Sequence, residues 1–148
     1  MGRLINAWIL VLRTSVGGFW AYSGVLNYLN FNEFRKQVEV AFLGNYVPYY
    51  NEFLQWAIRS GPLWVPYAII GIELSVGALL LTGVFPRVAG SVGSVLAANL
   101  LMIMTFCDCS WNLSGQFNVF WSHLFLLLLN VALIRERHDR SLSILRNR

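Results

Sequence analysis

The sequence predicts an all-α fold: an integral membrane, antiparallel four-helix bundle with an interfacial amphipathic segment between helices 1 and 2. Three observations lead there. Of the 148 residues, 57% are hydrophobic and 12% charged, against roughly 45–50% and 25% in soluble domains, and the mean hydropathy is +0.56. The apolar residues gather in four stretches, each near the roughly 20 residues that cross about 30 Å of hydrocarbon. Most of the 11 basic residues lie outside those stretches. Such a chain is not a water-soluble enzyme, a disordered polymer or a disulfide-rich secreted scaffold. Four crossings leave no length for a separate soluble domain, so residues 1–148 read as a single membrane domain.

The first crossing runs from about Leu4 to Leu29, broken by Arg13 and small polar residues. It is too long and too polar in its middle for a cleavable signal peptide. Residues 30–62 mix charge with Phe31, Phe34, Val38 and Phe42, which recur at three and four residues and predict an amphipathic helix with Asn32 as N-cap. Gly44 and Pro48 interrupt it. Pro48 then opens a short helix carrying Tyr49, Tyr50, Phe53, Leu54 and Trp56, stopped by Gly61 and Pro62. Tyr and Trp favour the membrane–water boundary, so both pieces are expected at the interface.

The second crossing spans about 63–85, interrupted by Glu73 and closed by Gly83 and Pro86. The third spans about 88–106 and is rich in small residues. With Pro86 and Arg87 as a very short turn, these two form an antiparallel hairpin. The fourth covers about 117–134, and a polar tail follows over 135–148. Four crossings put both termini on one side, together with Arg3, Arg87 and the five tail arginines, against Arg35, Lys36 and Arg59 opposite. The basic side is the cytoplasmic one. The expected location is a bacterial inner membrane with both termini cytoplasmic.

Two residue sets carry chemistry. Arg13 lies about nine residues into the first crossing and Glu73 about ten into the second, which runs the other way, so both are expected near mid-membrane. A charge there is costly enough to face the interior and find a partner, and matched depth makes each the expected partner of the other. Two readings are open: a structural ion pair, or a ligand-binding or proton site for a quinone or similar molecule. Cys107-Asp108-Cys109, at the end of the third crossing, holds the only two cysteines. Thiols one residue apart can close a strained, redox-labile disulfide; they can also be inert interfacial thiols. As metal ligands they have only His123 at hand, a set too small to predict a metal site.

Other features read more plainly. Gly17-x-x-x-Ala21, Ala89-x-x-x-Gly93, Gly90-x-x-x-Ser94 and the series Gly71, Gly77, Gly83 are the small residues that let helices approach in lipid. Asn99 and Asn130 suggest helix–helix hydrogen bonds, and His123 is either a proton shuttle or an interfacial side chain. Asn112-Leu113-Ser114 fits a glycosylation sequon. Neither a phosphate loop, a dinucleotide fingerprint, a nucleophile elbow nor a His-Glu-x-x-His motif is present. No base-reading or base-stacking element accompanies the basic charge, so nucleic acid is not an expected partner. The expected partners are membrane lipid and other membrane or exofacial subunits.

Leu12-Arg13, Gly17, Phe19, Ser23-Gly24, Tyr28 and Phe34 resemble the opening of the DoxX family. Residues 69–77, Ile-Ile-Gly-Ile-Glu-Leu-Ser-Val-Gly, with Leu81-Thr82-Gly83-Val84 and Arg87-Val88-Ala89-Gly90, resemble that family's second-helix signature. The Cys-x-Cys is similar to MauE, a relative in the same DoxX/DoxD/MauE superfamily. The resemblance covers roughly residues 10–106. It implies a four-helix membrane protein with redox associations, some relatives being linked to thiosulfate:quinone oxidoreduction and others to disulfide formation in a partner enzyme. By matching position, Arg13 and Glu73 would be the family's intramembrane polar pair. Tyr28 stands where the family often has Lys, and the 44–62 loop is longer and more aromatic than usual. The resulting expectation is an accessory to electron transfer from thiols or sulfur compounds to quinone. Cys107 and Cys109 would be its redox thiols, quinone its one candidate cofactor, and no intrinsic cofactor is evident. The alternative is a non-catalytic structural subunit of a larger respiratory or photosynthetic complex, binding partners, lipid or pigment through aromatic faces.

Overall fold

The computed structural model describes residues 2–61, 63–107 and 113–134, with side chains over 7–61, 63–107 and 120–134. All six of its elements are helices: α1 Gly2–Leu29, α2 Phe31–Leu43, α3 Tyr50–Ser60, α4 Trp64–Thr82, α5 Pro86–Thr105 and α6 Leu113–Ile134. Three of them are long and apolar enough to cross a membrane, over Ala7–Leu29, Trp64–Thr82 and Pro86–Thr105. The described apolar part of α6, Phe120–Ile134, is shorter. The polar tail at 135–148 lies outside the described residues.

Helix ends follow local chemistry. Gly83 takes a left-handed conformation (φ 75°) and its N–H caps Leu79 O, closing α4. Pro86 is the first residue of α5 rather than part of the turn, and Arg87 is already helical. A proline loses nothing at a first helical position, whose N–H has no intrahelical acceptor. The turn is therefore at 83–85, immediately before the Pro86–Arg87 pair that the sequence suggested. Asn30, not Asn32, separates α1 from α2. Its N–H and its side-chain Nδ2 both donate to Leu26 O, at 2.9 and 3.0 Å, while its own carbonyl accepts from Glu33 and Phe34. One residue thus ends one helix and begins the next, and Asn32 falls inside α2.

α1 packs chiefly along α4, and α5 along α6. Between α1 and α4 the register is set by small residues. A Cβ placed on Gly17 would lie 2.9 Å from Leu80 Cβ, one on Gly77 2.6 Å from Ala21 N, and one on Gly24 2.8 Å from Leu74 Cγ. The helices touch backbone to backbone, as lipid-embedded helices do when small residues allow it. Gly71 has nothing within 4 Å of such a Cβ and takes no part in packing.

The α5–α6 contact centres on Asn130, which is fully buried. Gly93 closes directly on Asn130 Oδ1, and a Cβ on Gly90 would lie 3.1 Å from Asn130 O. Asn130 Oδ1 accepts from the buried Trp20 Nε1 at 3.3 Å, and Nδ2 donates to Leu126 O at 2.8 Å. Three helices therefore share one satisfied polar junction inside an apolar core of Val16, Val76, Leu80, Leu96 and Leu133. An unpaired donor there would cost roughly 1–3 kcal/mol.

α2 and α3 lie across the end of the bundle where α1 and α5 finish. Val38, Ala41 and Phe42 of α2 and Leu54, Ala57 and Ile58 of α3 turn inward to join the core. Tyr49, Phe53 and Trp56 form an outward aromatic ridge, with Phe53 and Trp56 rings 6.0 Å apart.

Candidate functional site

The ten residues separating Glu73 from Gly83 decide the fate of the expected polar pair. Because Gly17, Ala21 and Gly24 fix the register of α1 on α4, Arg13 falls beside Gly83: its Nη1 lies 2.6 Å from the position of a Gly83 Cβ. Glu73 is about 15 Å further along α4, at the rise of an α-helix. The two residues are not partners. α1, with 28 residues, overhangs the 19-residue α4. Depth counted from the ends of the apolar stretches therefore placed Arg13 too deep. α4 is about 28 Å long, with Glu73 at its middle and Arg13 beside its C-terminal end.

Glu73 is buried, with 3% of its surface exposed. Its Oε1 accepts from Ser23 Oγ at 2.9 Å and its Oε2 from Asn27 Nδ2 at 2.8 Å. Both donors come from α1, four residues apart and hence on one face. A carboxyl group at the middle of an apolar helix is thus held between two neutral side chains. From sequence, Ser23 stands out only as part of the family motif, and Asn27 does not stand out. The available signal was their spacing, since two polar residues at i and i+4 in an apolar helix mark an inward stripe.

Cys107 is buried and disulfide-bonded. The other cysteine of the chain, Cys109, lies outside the described residues, as do Asp108 and Asn112 of the sequon. The placement of Cys107 rests on the 44–47 turn. Residues Asn45 and Cys107 form an isolated antiparallel bridge, and Tyr46 N–H donates to Phe106 O at 3.0 Å. The Asn45 side chain donates to Met102 O and Ile103 O, each at 3.4 Å, and accepts from Val47 N–H at 3.0 Å. A residue from the α2–α3 connection thus adds a donor to carbonyls in the last turn of α5, where Met102 O already accepts from Phe106 N–H. The Tyr46 ring packs edge-on against Phe106, centroids 6.0 Å apart. No local pattern around Asn45 points to its seating the cysteine.

A further tie joins the surface layer to α5: Tyr50 OH donates to Asn99 Oδ1 at 2.7 Å, and Asn99 Nδ2 donates to Val95 O. Tyr50 lies on α3, outside the spans, and burial pushes its phenol above the ordinary 10.0. The folded chain holds this proton more tightly than the unfolded one. Its contribution is complete below the unfolded value and is lost as pH rises through the folded one. Tyr50→Phe is expected to lessen the fall in unfolding midpoint above about pH 10; an unchanged alkaline slope would contradict this.

Between α1 and α6 runs a mostly apolar groove of about 270 Å³, lined by Ser15, Val16, Phe19, Phe125, Leu126 and Leu129 among others. It is slightly smaller than the roughly 300–1,000 Å³ of usual ligand cavities, a size suited to part of an elongated apolar molecule. No group of three or more potential metal ligands occurs among the described residues. Comparison of the chain with protein-family models, with curated proteins and with solved structures finds no match.

Proposed function

We propose that this protein is a four-crossing integral membrane accessory to electron transfer, taking electrons from thiols or reduced sulfur compounds at one membrane face and delivering them to the quinone pool. The observation that carries this reading is Cys107: a disulfide-bonded cysteine fixed to the end of a spanning helix by Asn45 and Tyr46. Two substrate thiols reduce the disulfide. One attacks a sulfur and displaces the other, and the second resolves the mixed disulfide. The substrate leaves as a disulfide, and Cys107 and Cys109 retain two electrons and two protons. A quinone accepts both, becomes quinol, and the disulfide re-forms. Cys107 itself is buried beside the 44–47 turn. The α1–α6 groove accommodates part of the quinone's isoprenoid chain. Glu73, Ser23 and Asn27 supply the intramembrane polar site, from which Arg13 is absent. Resemblance to the DoxX family in residues 10–106 agrees with this reading, as does placement in a bacterial inner membrane with cytoplasmic termini.

Thiol trapping in membranes tests it. With quinone present the cysteines are expected to resist alkylation; depletion of quinone should leave both alkylatable after addition of a small dithiol. Cys107→Ser with Cys109→Ser should abolish dithiol-dependent quinone reduction while the protein still assembles. Retained activity in that variant, or cysteines alkylatable whatever the quinone state, would sink the proposal.

A second reading has one observation in its favour. Tyr49, Phe53 and Trp56 present an aromatic ridge with no partner in the chain's own core, as the surface of a structural subunit would. An assembled complex that keeps full electron-transfer activity with both cysteines replaced would favour it.

A further inference from the structure

The Arg13 guanidinium lies on the α4–α5 turn with no described partner. Its Nη1, Cζ and Nη2 lie 2.6, 2.9 and 3.1 Å from where a Gly83 Cβ would stand, so a side chain at position 83 would push the guanidinium off this seat. Its Nε is enclosed and makes no hydrogen bond. The one ion pair among the described residues is Lys36–Glu33, far from it on α2. The other described carboxylates lie elsewhere too: Glu39 on α2, Glu52 on α3, and Glu73 at mid-helix between Ser23 and Asn27. Arg13 thus has no described acidic side chain beside it.

Depth identifies the anion that fits. α4 is about 28 Å long, matching the hydrocarbon, and Gly83 directly follows its last residue, so the guanidinium stands at the boundary where lipid phosphates lie. The negative end of the α4 dipole faces the guanidinium and helps hold it there. The planar fork of arginine binds phosphate oxygens in pairs. At the same end the first N–H groups of α5, whose N-cap Phe85 makes no side-chain cap, add donors of the kind that bind anions.

We propose that Arg13, seated on Gly83 at the α4–α5 turn, binds the phosphate of an anionic phospholipid in the leaflet at that end. The site is independent of the electron-transfer reading and needs neither cysteine. It is tested with the whole chain in mild detergent, by the lipid it retains in native mass spectrometry from equal mixtures of phosphatidylglycerol and phosphatidylcholine. The wild type is expected to retain phosphatidylglycerol in preference, and Arg13→Gln to lower that preference at least fivefold with an unchanged lipid-free unfolding midpoint. Equal retention by wild type and variant overturns the proposal. So does full displacement of the lipid by millimolar inorganic phosphate, which would make the site one for free anions. Should Arg13→Gln fail to fold, Arg13→Lys decides: it keeps the charge but not the fork, and a preference equal to wild type overturns the proposal.

Discussion

Replacing Gly77 with leucine is expected to force α1 away from α4 and destabilise the protein by about 2–3 kcal/mol, the upper range for overpacking. The cause is local and severe. A Cβ at Gly77 would stand 2.6 Å from Ala21 N and 2.9 Å from its Cα, and backbone atoms cannot swing aside as the end of a side chain can. Only a shift of the whole helix relieves the clash, and that shift would also open the contacts of Gly17 with Leu80 and of Gly24 with Leu74. Gly71→Leu provides the comparison on the same helix. With nothing within 4 Å of its Cβ, it should be tolerated or slightly stabilising, because leucine is a better helix former than glycine by up to about 1 kcal/mol. Chemical or thermal unfolding in detergent, followed by tryptophan fluorescence, reads both. Similar midpoints for the two variants would show that the α1–α4 register is wrong.

Glu73 should couple energetically to Asn27 and Ser23, and not to Arg13. In double-mutant cycles with alanine, the Glu73–Asn27 interaction is expected at about 0.6–1.7 kcal/mol, between the average and the largest values for hydrogen bonds between membrane helices. The Glu73–Arg13 cycle should be additive within about 0.5 kcal/mol, as for sites more than 10 Å apart. The single change Glu73→Ala is the more damaging: it leaves Ser23 Oγ and Asn27 Nδ2 without their shared acceptor and opens a void at mid-helix. A coupling of Glu73 to Arg13 as large as that to Asn27 would restore the ion pair and remove the basis of the lipid-phosphate site.

Local sequence pattern singles out polar residues in these helices but not their partners. Glu73 stood out from sequence because one carboxylate among apolar residues must face inward. Its partners did not. Nearest depth was a poor guide, since the ends of apolar stretches do not record how far one helix slides past another. That slide is set by Gly17, Ala21 and Gly77, whose packing role the sequence suggested but whose pairing it could not specify. Gly71 looked equal to Gly77 in the series, yet only one of them faces α1. Asn45 was equally silent, because it acts across more than fifty residues of chain, on the carbonyls of Met102 and Ile103.

The sequence by itself determined the class of structure. Low charge and apolar stretches of crossing length require helices, because each backbone polar group in hydrocarbon must be satisfied within its own segment. Element positions followed with it, as did the amphipathic pair at 31–43 and 50–60, whose three- and four-residue spacing is a local property. Only the tertiary structure decided which polar groups meet. It separated Arg13 from Glu73, brought Ser23 and Asn27 to that carboxyl, and set Trp20 on Asn130 and Asn45 at the end of α5. The physical reason is that helix register and interhelical contact arise from side-chain volume at distant positions, and no local pattern encodes the sum.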